Sequence, residues 1–336
     1  MTSRDDEEPT RAGGEDAAPL ETELTLSPSQ ARKESAPPGT RAVPAMPESI
    51  GDYRIVSLLG QGGMGVVWEA EQQHPRRRVA LKVLQQRLLG DEVHARMFRR
   101  EAETLGRLRH PSIAAIYESG TTPDGYDFLA MELVHGDTLS AWLRSRSRAL
   151  TPEELVFRLR LFQAICGAVH YAHQKGVIHR DLKPGNVVIS REGPARELPA
   201  LKILDFGLAR IMDADVQGAS MLTEVGVIKG TIAYMSPEQA SGGTAAIDVR
   251  TDVYALGVIL YEMLSGELPY ALDKASVMNA LSSVIHTAPR PLSASWRGLK
   301  PLDADVETIV MKTLEKEPDQ RYGSAAALSD DIERYL

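Results

Sequence analysis

The chain has little cysteine, few aromatic residues and no long apolar run, and each shortage excludes a class of protein. A single cysteine, Cys166, excludes an internal disulfide framework and a metal site built from several cysteines. No run approaches the ~18 apolar residues of a membrane-spanning helix, and the acidic N-terminus lacks the basic start of a signal peptide. A net charge of −8 argues against binding of nucleic acid or of an anionic membrane surface. We therefore expect a cytoplasmic protein.

Residues 1–50 differ in composition from the rest of the chain. They contain no aromatic residue and are rich in Pro, Ser, Thr, Glu and Ala. Their 5 Lys+Arg against 10 Asp+Glu give −5, which leaves only −3 of the total charge for the other residues. Such a segment cannot bury enough apolar surface to offset the entropy lost on ordering. We predict a disordered acidic tail over 1–50 and an ordered domain that starts at Tyr53.

The stretch HRDLKPGN, His179–Asn186, concentrates groups with complementary chemistry in eight residues. Asp181 can accept a proton from a hydroxyl nucleophile, and Lys183 can neutralise charge on a migrating group. Asn186 supplies a neutral oxygen of the kind that a hard cation binds. Any one of these residues in a loop is ordinary, so it is the whole string at this spacing that predicts a catalytic loop.

Gly60, Gly62 and Gly65 follow the spacing G-x-G-x-x-G. Dinucleotide-binding folds use the same spacing to open a helix, whereas the residues that follow here, 66–69, have the composition of a strand. No G-K-[ST] follows the glycines, which excludes a P-loop. The remaining interpretation is a glycine-rich hairpin whose backbone amides can approach phosphate groups closely.

Helix signals flank these motifs. Thr151-Pro152-Glu153-Glu154 has the pattern of an N-cap with a capping box and Pro at the first position, and Gly176 suits the position just after the helix ends. Residues 251–266 are apolar nearly all round, which predicts a central buried helix. In a further helix, predicted over 91–107, Glu101 shares one face with Met97, Leu105 and Leu108, whereas Glu103 points about 200° away.

Three further motifs complete a pattern: V-A-L-K ending at Lys82, D-F-G at Asp205–Gly207 and S-P-E at Ser236–Glu238. Over residues 53–336 the chain resembles a eukaryotic-like, or bacterial Hanks-type, serine/threonine protein kinase. The resemblance implies a two-lobed α+β fold. An N-lobe over 53–134 would hold a small antiparallel sheet and one helix, and a C-lobe over 137–336 would be mainly helical.

The resemblance also implies the roles of the catalytic residues and two metal ligands. Asp181 would orient and deprotonate the acceptor hydroxyl, and Lys183 would offset charge on the γ-phosphate. Lys82 would position the phosphates of ATP while held in an ion pair by Glu101. The implied ligands of Mg²⁺ are Asp205 and Asn186.

ATP would bind between the lobes, with Met131 as the gatekeeper behind the adenine and the backbone of residues 132 and 134 along its edge. The glycine-rich hairpin would cover the phosphates. The nucleotide-binding residues implied in this way are Leu59, Gly60, Gln61, Gly62, Gly63, Met64, Gly65, Val66, Val67, Lys82, Glu132 and Val134.

Residues 208–236 resemble the activation segment. Thr223 and, as a second candidate, Ser220 are placed to carry a regulatory phosphate, which Arg180 would neutralise. Thr231 is expected beside the catalytic aspartate in the turn that faces the substrate.

Two buried contacts are implied in the C-lobe. Asp252, a charge at the start of the apolar helix, would bind the backbone of the catalytic loop. Arg321 would pair with Glu238 of the S-P-E motif.

Protein substrates are the implied partners, and bacterial relatives of this kind often phosphorylate themselves in transient homodimers. A scaffold that keeps the fold without catalysis is the alternative, although Lys82, Asp181, Asn186 and Asp205 are all present. A small-molecule kinase is disfavoured because the S-P-E segment and long activation loop serve protein substrates. The end of the chain at the expected last helix suggests a piece of a longer protein.

Overall fold

Alternating apolar residues build the first sheet, which the computed structural model orders β1-β2-β3-β4-β6-β5 with every neighbouring pair antiparallel. The described residues are 46–62, 65–84, 100–122, 125–146, 149–190, 198–206, 232–242, 247–272 and 276–336. The strands are β1 Ser49–Ile50, β2 Tyr53–Gly62, β3 Gly65–Gln72, β4 Arg77–Leu84, β5 Ile116–Thr121 and β6 Asp127–Glu132. Residues 1–45 of the predicted disordered tail lie outside the described residues. The end of the prediction is corrected, because Ser49–Ile50 pair with β2 and order therefore begins before Tyr53.

The two faces of β4 bury different groups because side chains alternate along a strand. Val79 and Leu81 join Tyr53, Trp68 and Phe128 in a small apolar cluster on one face. Ala80 and Leu84 face the main core of the molecule. Lys82 lies on this second face at 4% exposure, so the strand directs its ammonium group toward the second half of the chain.

The described part of the helix that precedes β5 covers residues 100–105 and is labelled α1. Leu105 and Leu108 are buried, Glu101 is half-buried and Glu103 is exposed, as the periodicity predicts. The following turn is anchored to the other half of the molecule by a parallel bridge between Ile113 and Ile203.

A second sheet, ordered β7-β8-β9, frames the predicted catalytic loop. Its strands are β7 Gly136–Thr138, β8 Val187–Ser190 and β9 Leu201–Ile203. A single 3₁₀ turn, Pro184–Asn186, leads directly into β8. The catalytic loop therefore enters a strand whose pairing fixes its C-terminal end.

The helices after β7 are α2 Leu139–Ser145, α3 Pro152–Gln174, α4 Pro237–Ala240, α5 Val249–Ser265, α6 Val277–His286, α7 Leu292–Ser295, α8 Ala304–Thr313 and α9 Ala325–Tyr335. As predicted, α5 is buried nearly all round and ends at Gly266, whose φ of 70° is left-handed. No helix within the described ranges is both long and apolar enough to cross a membrane. The predicted two-lobed α+β fold is confirmed.

One detail of α3 corrects the sequence prediction. Thr151 caps the helix through its side chain, which accepts from the backbone N–H of Glu154, and Gly176 follows the helix with a φ of 75°. The reciprocal half of the predicted capping box is replaced, because the carboxylate of Glu154 accepts from Nε of Arg158 at 2.9 Å. The buried guanidinium of Arg158, one turn along the helix, competes successfully for this carboxylate.

Candidate active site

The catalytic loop gathers two predicted site residues, Lys183 and Asn186, around the carboxylate of a third, Asp181. Nζ of Lys183 donates to Oδ1 and Oδ2 of Asp181 at 3.0 and 2.8 Å. Nδ2 of Asn186 donates to the backbone oxygen of Asp181 at 2.7 Å and approaches its Oδ2 at 3.3 Å. Since the amide nitrogen makes both contacts, Oδ1 is the atom of Asn186 that can bind a cation.

Asp205 lies next to Asn186 because the backbone N–H of Leu204 donates to the Asn186 carbonyl at 2.8 Å. Asp205 itself has a left-handed backbone, with φ of 59°. Its Oδ2 accepts from Nζ of Lys82 at 2.9 Å. Burial opposes ionisation of Asp205, but the charge and hydrogen bond of Lys82 outweigh burial and hold the pKa of the carboxyl below its usual range.

Lys82 is also predicted to form an ion pair with Glu101. The structure places Glu101 on α1 and half-buried, and the ion pair that it records for Lys82 is the one with Asp205. The pairing of Lys82 with Glu101 stays a prediction. A carboxylate with a lowered pKa and a neutral amide oxygen, both hard oxygen donors, suit a magnesium ion that takes its other ligands from phosphate and water.

Asp252 holds the N-terminal side of the catalytic loop from its buried place on α5. Its carboxylate accepts from the backbone N–H groups of His179 and Arg180 at 2.8 and 2.9 Å and contacts Nε2 of His173 at 2.7 Å. Burial raises the pKa of Asp252, but the hydrogen bond and charge of His173, with a smaller effect of His179, bring it below the usual range. The expected contact between Asp252 and the loop backbone is present.

His179 connects the catalytic loop to the segment that carries Asp205. The ring is fully buried, and its Nε2 lies 2.9 Å from the carbonyl oxygen of Leu204. It also packs against the ring of Phe206, with the centroids 4.6 Å apart. The imidazole thus links the catalytic loop to the residues on either side of Asp205.

The glycine-rich hairpin has the predicted strand pairing, with Gly62 opposite Gly65 and Gly60 opposite Val67. Gly65 has a φ of 143°, and a Cβ there would lie 2.1 Å from the carbonyl oxygen of Val83. A Cβ at Gly60 or Gly62 would meet no atom within 4 Å. Gly63 and Met64 lie outside the described residues.

The predicted gatekeeper Met131 lines a small, mainly apolar pocket. Leu59 of the hairpin is 48% exposed, whereas Met131 is buried at the end of β6. A small pocket at Met131 is lined by Leu105, Leu108, Ile113, Ala114, Ile116, Met131, Asp205 and Phe206. This places the predicted gatekeeper beside the predicted metal ligand Asp205.

The side chain of Glu132 has a role that the sequence did not indicate. Its carboxylate accepts from Nζ of Lys202 on β9 at 2.8 Å and from the backbone N–H of Ala115 at 3.1 Å. Its own N–H donates to the carbonyl oxygen of Ala115 at 2.8 Å. Residue 132, predicted to contact the adenine through its backbone, therefore also ties the end of the first sheet to the second.

The S-P-E motif is fixed by a buried ion pair. Nη1 and Nη2 of Arg321 each donate to one oxygen of Glu238 at 2.9 Å, and Thr251 donates to the same carboxylate at 2.8 Å. Burial opposes ionisation of Glu238, and Arg321 overcomes it to lower the pKa. The expected pairing of Arg321 with Glu238 is present. The predicted residues Gly207, Ser220, Thr223 and Thr231 lie outside the described residues.

Comparison with known proteins agrees with this geometry. Residues 53–332 match the family model described as protein kinase domain. The chain is 37% identical over 285 residues to serine/threonine-protein kinase PknB of Mycobacterium tuberculosis, covering 84% of this chain and 42% of the relative. It is 39% identical over 282 residues to serine/threonine-protein kinase pkn3 of Myxococcus xanthus, covering 84% of this chain and 49% of the relative.

Among solved structures, the crystal structure of the Mycobacterium tuberculosis PknI kinase domain matches with a TM-score of 0.64 and 27% identity. That match covers 88% of this chain and 100% of the other. The chain spans less than half the length of the two curated relatives.

Proposed function

The chain belongs to the protein kinase family, as a bacterial Hanks-type member, and on that premise we propose that it transfers the γ-phosphoryl group of Mg-ATP to serine or threonine hydroxyls of proteins. The observation that carries the proposal is the set of contacts around the Asp181 carboxylate. Lys183 and Asn186 both bind it, and Asp252 fixes the backbone on its N-terminal side. The side chains that phosphoryl transfer needs are thereby assembled in one place.

In the proposed reaction the acceptor hydroxyl attacks the γ-phosphorus in line with the leaving oxygen of ADP. The bond between that phosphorus and the bridging oxygen breaks, and Asp181 takes the hydroxyl proton. Lys183, 2.8 Å from the Asp181 carboxylate, carries the positive charge that offsets negative charge on the transferred group. Positioning and electrostatic stabilisation by these fixed groups supply most of the acceleration.

Asn186 and Asp205 would hold Mg²⁺, which when bound neutralises phosphate charge and aligns the leaving group. Lys82 contributes its ammonium group to the phosphates. Because Lys82 is paired with Asp205 here, the two partners must share or exchange this contact when nucleotide binds. Glu101, half-buried on α1, is the proposed second partner that keeps Lys82 in place.

We further propose regulation by phosphorylation of Thr223 or Ser220, with Arg180 as the cation that binds the phosphate. Arg180 directly precedes Asp181, so a phosphate bound there would act on the catalytic loop at its centre. Transfer between two chains in a transient homodimer would supply the first phosphate. The proposed location is the cytoplasm, where ATP and protein substrates are available.

The test is incubation of the purified protein with Mg-ATP and a generic basic protein substrate, followed by mass spectrometry of both proteins. We expect phosphate on serine or threonine residues, and a loss of about 10³-fold in Asp181→Asn, which removes the proton acceptor. Binding of ATP without transfer by the unmutated protein, including protein pre-phosphorylated on the activation segment, would instead support the scaffold alternative.

A further inference from the structure

The side chain of Gln239 joins α4 to the catalytic loop. Its Nε2 donates to the carbonyl oxygen of Arg180 at 2.7 Å, and its Oε1 accepts from the backbone N–H of Ser236 at 3.1 Å. We propose that Gln239 is a positioning residue that holds the peptide unit between Arg180 and Asp181 in the orientation needed for phosphoryl transfer. This inference rests on the proposed kinase activity and assigns to it a residue that no motif indicated.

The partners of Gln239 determine which way its amide points. The carbonyl oxygen of Arg180 can only accept, and the backbone N–H of Ser236 can only donate. A single orientation satisfies both, with the NH₂ group toward the catalytic loop and the oxygen toward the start of α4. The contact with Arg180 is therefore a hydrogen bond that requires an NH₂ donor at residue 239.

The peptide unit that Gln239 contacts is the one that begins the catalytic aspartate. The carbonyl oxygen of Arg180 and the N–H of Asp181 belong to one planar group. Gln239 binds the oxygen at 2.7 Å, and Nδ1 of His179 lies 3.3 Å from the nitrogen. Fixing this plane restricts the backbone of Asp181, and hence the position of its carboxylate.

This peptide plane comes directly after Arg180, whose backbone conformation is unfavourable. Arg180 has a φ of 65°, in the left-handed region that a residue with a Cβ seldom adopts. Its N–H is held by Asp252 at 2.9 Å, and its carbonyl is held by Gln239. The two peptide units that flank Arg180 are thus each fixed by a side chain from another element, α5 on one side and α4 on the other.

The residues next to Gln239 are themselves held by buried contacts. The neighbouring residue Glu238 is bound at both carboxylate oxygens by Arg321, whose side chain is 0% exposed. Ser236, also 0% exposed, caps α4 in a reciprocal capping box with Gln239. Because its neighbours are fixed, the side chain of Gln239 can hold the catalytic loop in place. A side chain on an unsupported turn would instead move with the loop.

The decisive variant is Gln239→Glu. Glutamate keeps the length of the side chain and the oxygen that caps α4, since Glu is a favoured residue at this capping-box position. It places a carboxylate oxygen, instead of an NH₂ group, against the carbonyl of Arg180. We expect kcat for protein phosphorylation to fall by about tenfold or more, because small displacements of a catalytic group are costly.

ATP binding should stay constant in Gln239→Glu, and the loss of overall stability should not exceed that of a matched control. The side chain of Gln239 makes its hydrogen bonds with Ser236 and Arg180, outside the predicted nucleotide-binding residues. We therefore expect the KM for ATP to stay within about twofold. The cap is retained but the hydrogen bond to Arg180 is lost, so the Tm should fall by about the same 2–4 °C as in Ser236→Ala.

Ser236→Ala is the matched control. It removes the capping hydroxyl but leaves the amide of Gln239 able to reach Arg180. We expect a fall of about 2–4 °C in Tm and little change in kcat. Comparison of the two variants therefore separates the effect of losing the helix cap from the effect of losing the contact with the catalytic loop.

Amide hydrogen exchange at Arg180 and Asp181 supplies a readout that does not depend on activity. We expect exchange to be about tenfold faster in Gln239→Glu than in the unmutated protein or in Ser236→Ala. Unchanged kcat together with unchanged exchange in Gln239→Glu would overturn the proposal, as would an equal loss of kcat in Ser236→Ala. If the unmutated protein transferred no phosphate, the proposed function would fail, and exchange alone would decide whether Gln239 holds the loop.

Discussion

The catalytic loop and the glycine-rich hairpin would both contact the transferred phosphate, yet they are held in different ways. Side chains from α4 and α5 and the buried ring of His179 fix the loop. The hairpin is held by strand pairing, and Gly60 and Gly62 have open space where side chains would be. Asp181, the proposed proton acceptor, is therefore placed by buried long-range contacts, whereas the hairpin proposed to cover the phosphates is placed by local backbone pairing.

The largest effect is expected for Asp252→Ala. This carboxylate is 1% exposed and serves two backbone N–H groups and one histidine, all of which would lose their partner. We expect a loss of about 3–5 kcal/mol in the free energy of unfolding, measured by denaturant titration, and almost complete loss of phosphoryl transfer.

Asp248→Ala is the control on the same helix, because Asp248 caps α5 and its side chain is 45% exposed. Its loss should cost only about 1 kcal/mol. Similar losses in the two variants would show that the buried contacts of the loop are not what distinguishes it from the hairpin.

Gly65→Ala tests a position of the hairpin where the fold requires glycine. The added Cβ would lie 2.1 Å from the carbonyl oxygen of Val83, and the backbone φ of 143° is itself unfavourable for alanine. We expect a loss of about 2–4 kcal/mol in the free energy of unfolding, together with weaker ATP binding. Unchanged thermal unfolding would mean that the pairing of β3 with β4 can shift to accept a side chain.

Gly62→Ala should separate stability from nucleotide binding. A Cβ there meets nothing within 4 Å, so we expect the Tm to stay within about 2 °C. If phosphates approach the backbone at this point, the methyl group should raise the KM for ATP by about tenfold. A lower Tm with unchanged KM would assign Gly62 a structural role and remove it from the predicted nucleotide site.

The smallest effect concerns the pH dependence of the stability that Asp252 gives to the catalytic loop. The pKa of Asp252 is lowered in the folded protein, so its stabilising contribution is complete above the ordinary aspartate value and is lost as pH falls through the folded pKa. The difference in Tm between the unmutated protein and Asp252→Asn should be constant from about pH 7 to 5 and shrink below about pH 4. A difference that instead widens in acid would mean that the carboxyl is bound in its protonated form.

Local signals in the sequence predicted secondary-structure elements and several of the residues at which they begin, end or turn. The hairpin glycines, the N-cap Thr151 and the terminating Gly176 follow from backbone rules that involve only neighbouring residues. The contact of Asp252 with the catalytic loop and the pairing of Arg321 with Glu238 came from the resemblance, and the structure contains both.

Contacts between distant side chains were not predictable in the same way. Gln239 reaches Arg180 across 59 positions of the chain, and Lys202 reaches Glu132 across 70. Neither pair has a characteristic spacing, because the two partners meet only through the packing of α4 and β9. The contact of Lys82 with Asp205 likewise joins residues 123 positions apart, and the pairing of Lys82 with Glu101 stays a prediction.

The burial of Cys166 has a practical consequence for experiments on this protein. It is the single thiol of the chain, it is 0% exposed in the interior of α3, and burial raises its pKa well above the usual range. Maleimide and iodoacetamide dyes react with thiolates, so the folded protein should resist labelling. Cysteines introduced at two exposed sites, one in each sheet, would then carry a fluorophore pair without further mutation, and changes in the distance between the sheets upon nucleotide addition could be followed by energy transfer.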